Sequence, residues 1–338
     1  MTALARRALD TPQLDAWMLG VMTVGAFIVF WAIEPAWLNS DTVQTVIAQS
    51  APLAIVAMAM TFSIISRHID LSPGAMVALS GMVAGLIFRA GAGLWLGALG
   101  SLGACLAVSL MTGLMVSKLG LNAILVTLGT YIWARGLAYS FTSGNPIVVR
   151  TGWTPVVNGT YAGFTIALPI VAIVYGAGWF VLSQTRFGRY THAMGGDPVG
   201  ARRAGIPVAR YTCFIFLLMG VATWVASMLY MGQVASAQPS IAPTLELDAI
   251  VAVIIGGTQL SGGEGHVGRT LLGVAFISVL NSGLINLGLG AQYYDFYKGA
   301  ALLVVLALQV LLRRRAQRRV EEHLERARVL AYGVETAS

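Results

Sequence analysis

The chain has 338 residues, of which 57% are hydrophobic and 10% charged, with 21 Lys and Arg against 14 Asp and Glu. Soluble domains carry about 25% charged residues, so a soluble enzyme is excluded, and with it a nucleic-acid partner in spite of the formal net charge of +7. The composition describes an all-α polytopic membrane protein, and its 39 glycines suit helices that approach closely in lipid.

Hydropathy predicts about ten transmembrane helices. The first spans about 16–34 and follows Arg6 and Arg7; it is too long for a signal-peptide core and no small-residue cleavage site follows it. The next four span about 44–65, 73–89, 94–116 and 121–142. A polar loop runs to about 163, and a sixth helix spans about 164–183. A basic loop covers 184–210. A seventh helix spans about 211–231, an eighth, which is short, about 246–259, a ninth about 268–287 and a tenth about 292–312. Residues 1–312 thus form the membrane domain, and 313–338 a basic cytoplasmic tail in which Glu322 and Arg326 have the favourable helical spacing.

Charge fixes the orientation. With both termini in the cytoplasm, 17 of the 21 Lys and Arg fall on cytoplasmic segments, and Arg89, Arg135, Arg150 and Lys298 are the exceptions. The tail arginines also suit anionic membrane lipids. Cys105 and Cys213 lie in apolar runs as small packing residues, and the four histidines have no metal-ligand spacing.

The most informative segment is Asp197-Pro198-Val199-Gly200-Ala201-Arg202-Arg203-Ala204-Gly205-Ile206-Pro207. Asp197 is a helix N-cap, Pro198 suits the first helical position, Gly205 suits a left-handed C-terminal position, and Pro207 forbids continuation. This gives a helix of about seven residues, roughly 10 Å long. A small capped helix on a cytoplasmic loop is a device for contact with another protein.

Two further segments carry candidate residues. In Arg67-His68-Ile69-Asp70-Leu71-Ser72-Pro73-Gly74, Asp70 or Ser72 is placed to cap the third helix, with a structural or a gating role. In Thr258–Arg269, Gly262 and Gly263 mark a tight turn or a broken helix near the same face; the segment lacks the pattern of a nucleotide-binding loop. Arg135 and Lys298 read as cations snorkelling to the outer interface, with Asp295 one turn from Lys298 as its partner. Glu246 and Asp248 read as the outer start of the eighth helix, and no carboxylate falls at a helix midpoint.

These motifs resemble the permease subunit of bacterial sugar ABC importers of the ribose/xylose type, related to branched-chain amino-acid permeases. The resemblance covers about 15–312. It is carried by Pro52–Ala57 with Ile69-Asp70-Leu71-Ser72-x-Gly74, by Leu121–Thr130 with Arg135-Gly136, by Thr185–Arg189 through Gly205-Ile206, and by Glu246–Ile250, Ile255–Thr258 and Gly262-Gly263-x-Gly265. The chain departs from the family at Arg67-His68, where a small pair such as Gly-Gly is usual, at Pro73, often Val, and at Asp197, commonly Asn.

The resemblance implies no catalytic, metal or cofactor site in this chain. Two permease copies, identical or not, would form the pathway. A cytoplasmic ABC ATPase would bind the ATP and dock on the coupling segment, Asp197, Pro198, Val199, Ala201, Arg202, Arg203 and Gly205. A periplasmic sugar-binding protein would deliver a monosaccharide or similar small polar solute, and the whole would sit in the bacterial inner membrane. Asp70, Ser72, Gly74, Gly262 and Gly263 would be gating or conformational residues. The alternative is a self-contained secondary carrier; a passive channel and a membrane enzyme fit the motifs less well.

The orientation is testable with an impermeant thiol reagent on intact cells. Gly200→Cys and Gln317→Cys should resist labelling while Asn158→Cys labels; labelling of Gly200→Cys from outside would invert the topology.

Overall fold

The computed structural model describes residues 12–35, 40–150, 152–161, 163–288, 293, 296–300, 302–304 and 307. The first nine expected helices each have a counterpart: α1 (Pro12–Ile33), α2 (Ser40–Ile65), α3 (Pro73–Arg89), α4 (Gly93–Ser117), α5 (Ala123–Ser140), α7 (Ala167–Gln184), α10 (Val208–Val234), α11 (Leu245–Ile255) and α12 (Val267–Asn286). Residues 296–300 and 302–304, within the expected tenth helix, are helical. The charged tail, its Glu322–Arg326 spacing and both termini lie outside the described residues. Among the described residues, five helices are long and apolar enough to cross a membrane, and Leu19–Ile33 and Pro73–Arg89 are shorter apolar helices.

Two segments expected as loops have structure. The polar connection after α5 holds α6 (Trp153–Asn158). It also supplies short ribbons: β1 (Ile147–Val148) pairs antiparallel with β4 (Ser236–Ala237), and β2 (Thr160–Tyr161) with β3 (Phe164–Thr165). The basic loop 184–210 is mostly helical: α8 (Arg186–Gly196) is followed by α9 (Pro198–Arg203).

α2 is the axis of the bundle. It packs against α7, α10, α11 and α12, and every residue from Ala51 to Ile65 is buried. Such all-round burial explains an almost continuous apolar run instead of an amphipathic stripe. α2 and α10 run antiparallel. At one end Phe62 meets Phe187 of α8, with ring centroids 6.0 Å apart; at the other, Gln233 of α10 meets Ala48 of α2. The two faces of the bundle are thereby identified: α8 and α9 lie on one, and Ala48, Gln233 and Asn158 on the other.

The contact between Gln233 and Ala48 has a local cause. Pro52 lies inside α2 and has no N–H to give to the carbonyl four residues back, which is Ala48. Gln233 Nε2 donates to that carbonyl at 2.6 Å. In an apolar surround an unpaired carbonyl is costly, so the proline and the glutamine act together. One turn on, Tyr175 of α7 donates its hydroxyl to Ala54 O at 3.0 Å.

Gln233→Leu should lower the thermal stability of the purified permease, by about 1–3 kcal/mol for the carbonyl left unsatisfied. Pro52→Ala in the same chain restores the N–H and should recover most of that loss, whereas Pro52→Ala alone should gain little. Equal losses for Gln233→Leu with and without Pro52→Ala would separate the two residues.

Candidate functional site

α9 forms as its sequence dictates. Asp197 Oδ1 accepts from Val199 N and Gly200 N, both at 3.0 Å, and Pro198 opens the helix. The end is a complete Schellman closure: Ile206 N donates to Ala201 O and Gly205 N to Arg202 O, each at 3.0 Å, with Gly205 at φ +81°. The helix has six residues, one fewer than expected, because Ala204 takes the C-cap position. Its faces differ from the expectation too. Ala201, expected to contact a partner, is buried in this chain's own core alongside Ile206, so it anchors α9. Val199, Arg202 and Arg203 are exposed and face outward.

α8 holds α9 to the bundle. Thr185 caps it by accepting from Gly188 N at 3.4 Å. Phe187 and Tyr190 then stack against Tyr211 at the start of α10, with centroids 5.4 and 5.1 Å apart. Phe187, Tyr190, Thr191 and Met194 repeat at helical spacing after a Thr cap, an amphipathic signal that a loop assignment for 184–210 overlooks.

At its end α8 meets two other segments, backbone to backbone. Gly263 N donates to Ile65 O at 2.8 Å, and His192 Nδ1 donates to Gly263 O at 2.9 Å. A Cβ on Gly195 would collide with the Ile65 carbonyl, and one on Gly262 with the Arg67 side chain. Gly262 and Gly263, at φ +77° and +84°, form the close turn anticipated for them. Arg67 takes the same left-handed region at φ +65°, where glycine is at ease and an L-residue is strained. Its guanidinium reaches Gly196 O at 3.0 Å. The departure from the small pair usual in the family is therefore a strained backbone held by a cross-link to the α8–α9 junction. Nearby, His266 caps α12 by accepting from Gly268 N at 3.1 Å through Nδ1. That role needs a neutral ring, and burial, Arg269 and His192 together hold its pKa below the ordinary value.

From this joint the chain re-enters the bundle. Asp70 does not cap α3 directly. Its Oδ1 accepts from Ser72 N at 2.8 Å and Ser72 Oγ at 2.7 Å, closing a turn before the helix. Ser72 is the N-cap residue, yet its side chain makes no cap bond. The cap comes from far away: Glu246 Oε2 accepts from Gly74 N at 3.2 Å. A Cβ on Gly74 would strike that carboxylate and lie 2.6 Å from Ala242 O, so Gly74 permits a close approach.

α5 touches the chain ahead of both α3 and α11. Near its start Thr127 Oγ accepts from Leu71 N at 3.1 Å. Eight residues on, about 12 Å along the helix, Arg135 donates to Pro239 O at 2.9 Å, Ile241 O at 2.7 Å and Ala242 O at 3.2 Å. The chain thus enters α3 from the α8–α9 face and α11 from the opposite face, and the two helix starts meet inside the bundle. Arg135 is a clamp on irregular backbone and does not snorkel. Lys298 does not snorkel either: it is 6% exposed and pairs with Asp248, its Nζ 2.6 Å from Oδ2. Asp295, its expected partner, lies outside the described residues. Asp70, in the turn before α3, and Glu246, in the first turn of α11 as expected, are both buried within the bundle. Among the described residues no group of His, Cys, Asp and Glu is placed to hold a metal ion.

The small capped helix is thus tied through α8 to the 65–67 segment ahead of α3 and to the 262–263 turn between α11 and α12. Residues 42–306 match the model of the family described as the branched-chain amino acid transport system permease component. The chain belongs to that family. It is 33% identical to the ribose import permease protein RbsC of Escherichia coli (strain K12) over 307 residues, covering 86% of this chain and 94% of that protein. It is 35% identical to RbsC of Bacillus subtilis (strain 168) over 285 residues, covering 83% and 88% respectively. Its identity to the D-allose transport system permease protein AlsC of Escherichia coli (strain K12) is 29% over 299 residues, covering 84% and 88%. The chain is a multi-pass membrane protein and a permease subunit of the ABC-importer class.

The joint makes a mutational prediction for this permease. Gly195→Ala should force α8 away from Ile65 and cut transport at least about tenfold, with the protein still reaching the membrane. Arg67→Gly relieves left-handed strain of about 1–2 kcal/mol but severs the link to Gly196; it should leave thermal stability equal or higher while lowering transport. Uptake by Arg67→Gly at the wild-type rate would reduce Arg67 to a spacer.

Proposed function

We propose that this chain is the transmembrane subunit through which an ATP-driven importer of the bacterial inner membrane carries a monosaccharide or similar small polar solute into the cell. The sugar class is supported by relatives named for ribose and D-allose transport. The observation that carries the coupling is α9: a helix anchored by Ala201 and Ile206, presenting Val199, Arg202 and Arg203 to its surroundings. A separate cytoplasmic ATPase docks there and binds all the ATP, so this chain needs no cofactor of its own. A second permease copy completes the pathway, and a periplasmic sugar-binding protein delivers the solute to the face opposite α9.

Closure of the ATPase pair moves α9 and, with it, α8. Because α8 is bonded to both the 65–67 and the 262–263 segments, the displacement reaches the chain entering α3 and the loop between α11 and α12. The output is a rigid-body rearrangement of packed helices of the alternating-access kind.

Arg202→Glu and Val199→Asp alter only the exposed face of α9. In a reconstituted system with ATPase and binding protein, each should abolish most sugar uptake and the stimulation of ATP hydrolysis by loaded binding protein; loss of a docked charge contact costs about 2–5 kcal/mol. Uptake and stimulated hydrolysis that both survive would remove α9 as the coupling element.

A further inference from the structure

α3 and α11 start together inside the bundle and run to opposite faces. α3 ends where Gly85 packs against the β1–β4 ribbon, and α11 ends ahead of the 262–263 turn at the α8 joint. The positive ends of two helix dipoles therefore meet. Neither start has a cap of its own, since the N-cap residues Ser72 and Thr244 make no side-chain cap bond. Glu246 serves both. It lies in the first turn of α11, and its Oε2 accepts from Gly74 N of α3 at 3.2 Å. Arg135 adds a full positive charge to the same place: while it holds the carbonyls of Pro239, Ile241 and Ala242, its Nη2 lies 3.4 Å from where a Cβ on Gly74 would be. Asp70 and Asp248 are engaged with Ser72 and Lys298. Among the described residues that leaves Glu246 to balance two helix ends and a guanidinium.

The same contact closes a circuit. At the joint, Gly263 N donates to Ile65 O at 2.8 Å. From there one arm of chain, 66–73, leads to Gly74, and the other, 247–262, contains α11 and leads back to Glu246. The two arms are thus fastened to each other at both ends, by a backbone bond at the joint and by one carboxylate inside the bundle.

We propose that Glu246 is a positioning residue for transport, whose carboxylate pins the start of α3 to the start of α11 so that a push on the α8 joint moves both as one unit. The proposal rests on the reading of α9 and α8 as the coupling path and names the element that carries the push into the bundle. Without the pin, each arm absorbs the push in its own irregular chain and the two starts part. The requirement is for charge. A neutral amide can accept from Gly74 N, but it cannot balance two dipole ends and a guanidinium where the surroundings screen little.

The test places spin labels on the full-length permease at Arg89→Cys, the exposed end of α3, and Leu247→Cys, an exposed residue in the first turn of α11, with Cys105→Ser and Cys213→Ser. The distance between the labels should be narrow, and the same in the nucleotide-free and the vanadate-trapped complex with ATPase. Adding Glu246→Gln should broaden it in the permease alone and shift it on trapping. In proteoliposomes with ATPase and binding protein, Glu246→Gln should cut uptake of D-ribose or D-allose about tenfold or more, while the ATPase stays bound and hydrolyses ATP at its basal rate. Glu246→Asp, which keeps the charge, should transport better than Glu246→Gln. Monodisperse elution guards against misfolding; if Glu246→Gln does not fold, Gly74→Ala, whose Cβ strikes the carboxylate from the α3 side, should give the same broadening. A distance that changes between the two states with Glu246 in place overturns the proposal. So does a distance that Glu246→Gln leaves unaltered, full uptake by that variant, or better transport by Gln than by Asp. A wild-type chain that binds no ATPase and takes up neither sugar would sink the importer reading instead, and the labels on the permease alone would still decide the pin.

Discussion

The backbone polar groups that this chain leaves unpaired within its bundle decide where its long-range contacts fall. In lipid an unpaired N–H or C=O has no water to turn to. At three places among the described residues, the Pro52 turn of α2 and the entries to α3 and α11, side chains from distant parts of the sequence meet the freed groups. Gln233 takes the carbonyl freed by Pro52, Glu246 takes an N–H in the first turn of α3, Thr127 takes the N–H of Leu71, and Arg135 takes three carbonyls ahead of α11. Without the breaks, these bonds would have no partner to satisfy.

The breaks in turn make movement possible. α3 and α11 begin inside the bundle, so each is joined to its neighbours by irregular chain rather than by continuous helix, and their starts touch through one carboxylate and one glycine. Irregular segments can reorient at lower cost than packed helices. On the α9 face, the same logic is applied at a tighter scale: Gly195, Gly262 and Gly263 bring three backbones into contact without intervening side chains. A backbone-to-backbone joint is stiff, which suits the transmission of a push, whereas the interrupted helix starts above it are compliant. Arg67, strained at φ +65° and tied to Gly196, belongs to the stiff part.

Much of the fold is legible in the sequence. Hydropathy locates nine helices within a few residues, since length and apolarity alone fix a span in a membrane. The cap, proline and glycine of α9 predict its start and its left-handed end because those signals are local. The candidate site is less completely legible. Asp70 does belong to the turn before α3, but its partner is Ser72, and the cap is Glu246. Gly74, expected as a gating residue, has as its structural property the close approach of two helix starts.

The sequence by itself determined the class of protein, its helices, the small capped helix and the family to which it belongs, all properties carried by residues within a few positions of one another. Tertiary structure decided which residues meet. That Ala201 anchors instead of docks, that Arg135 and Lys298 turn inward, and that Glu246 meets the start of α3 depend on how helices far apart in the chain are placed. A cation near a helix end has the same local signature whether it snorkels to water or clamps a buried carbonyl; only the position of the carbonyl, more than a hundred residues away in the case of Arg135, distinguishes the two.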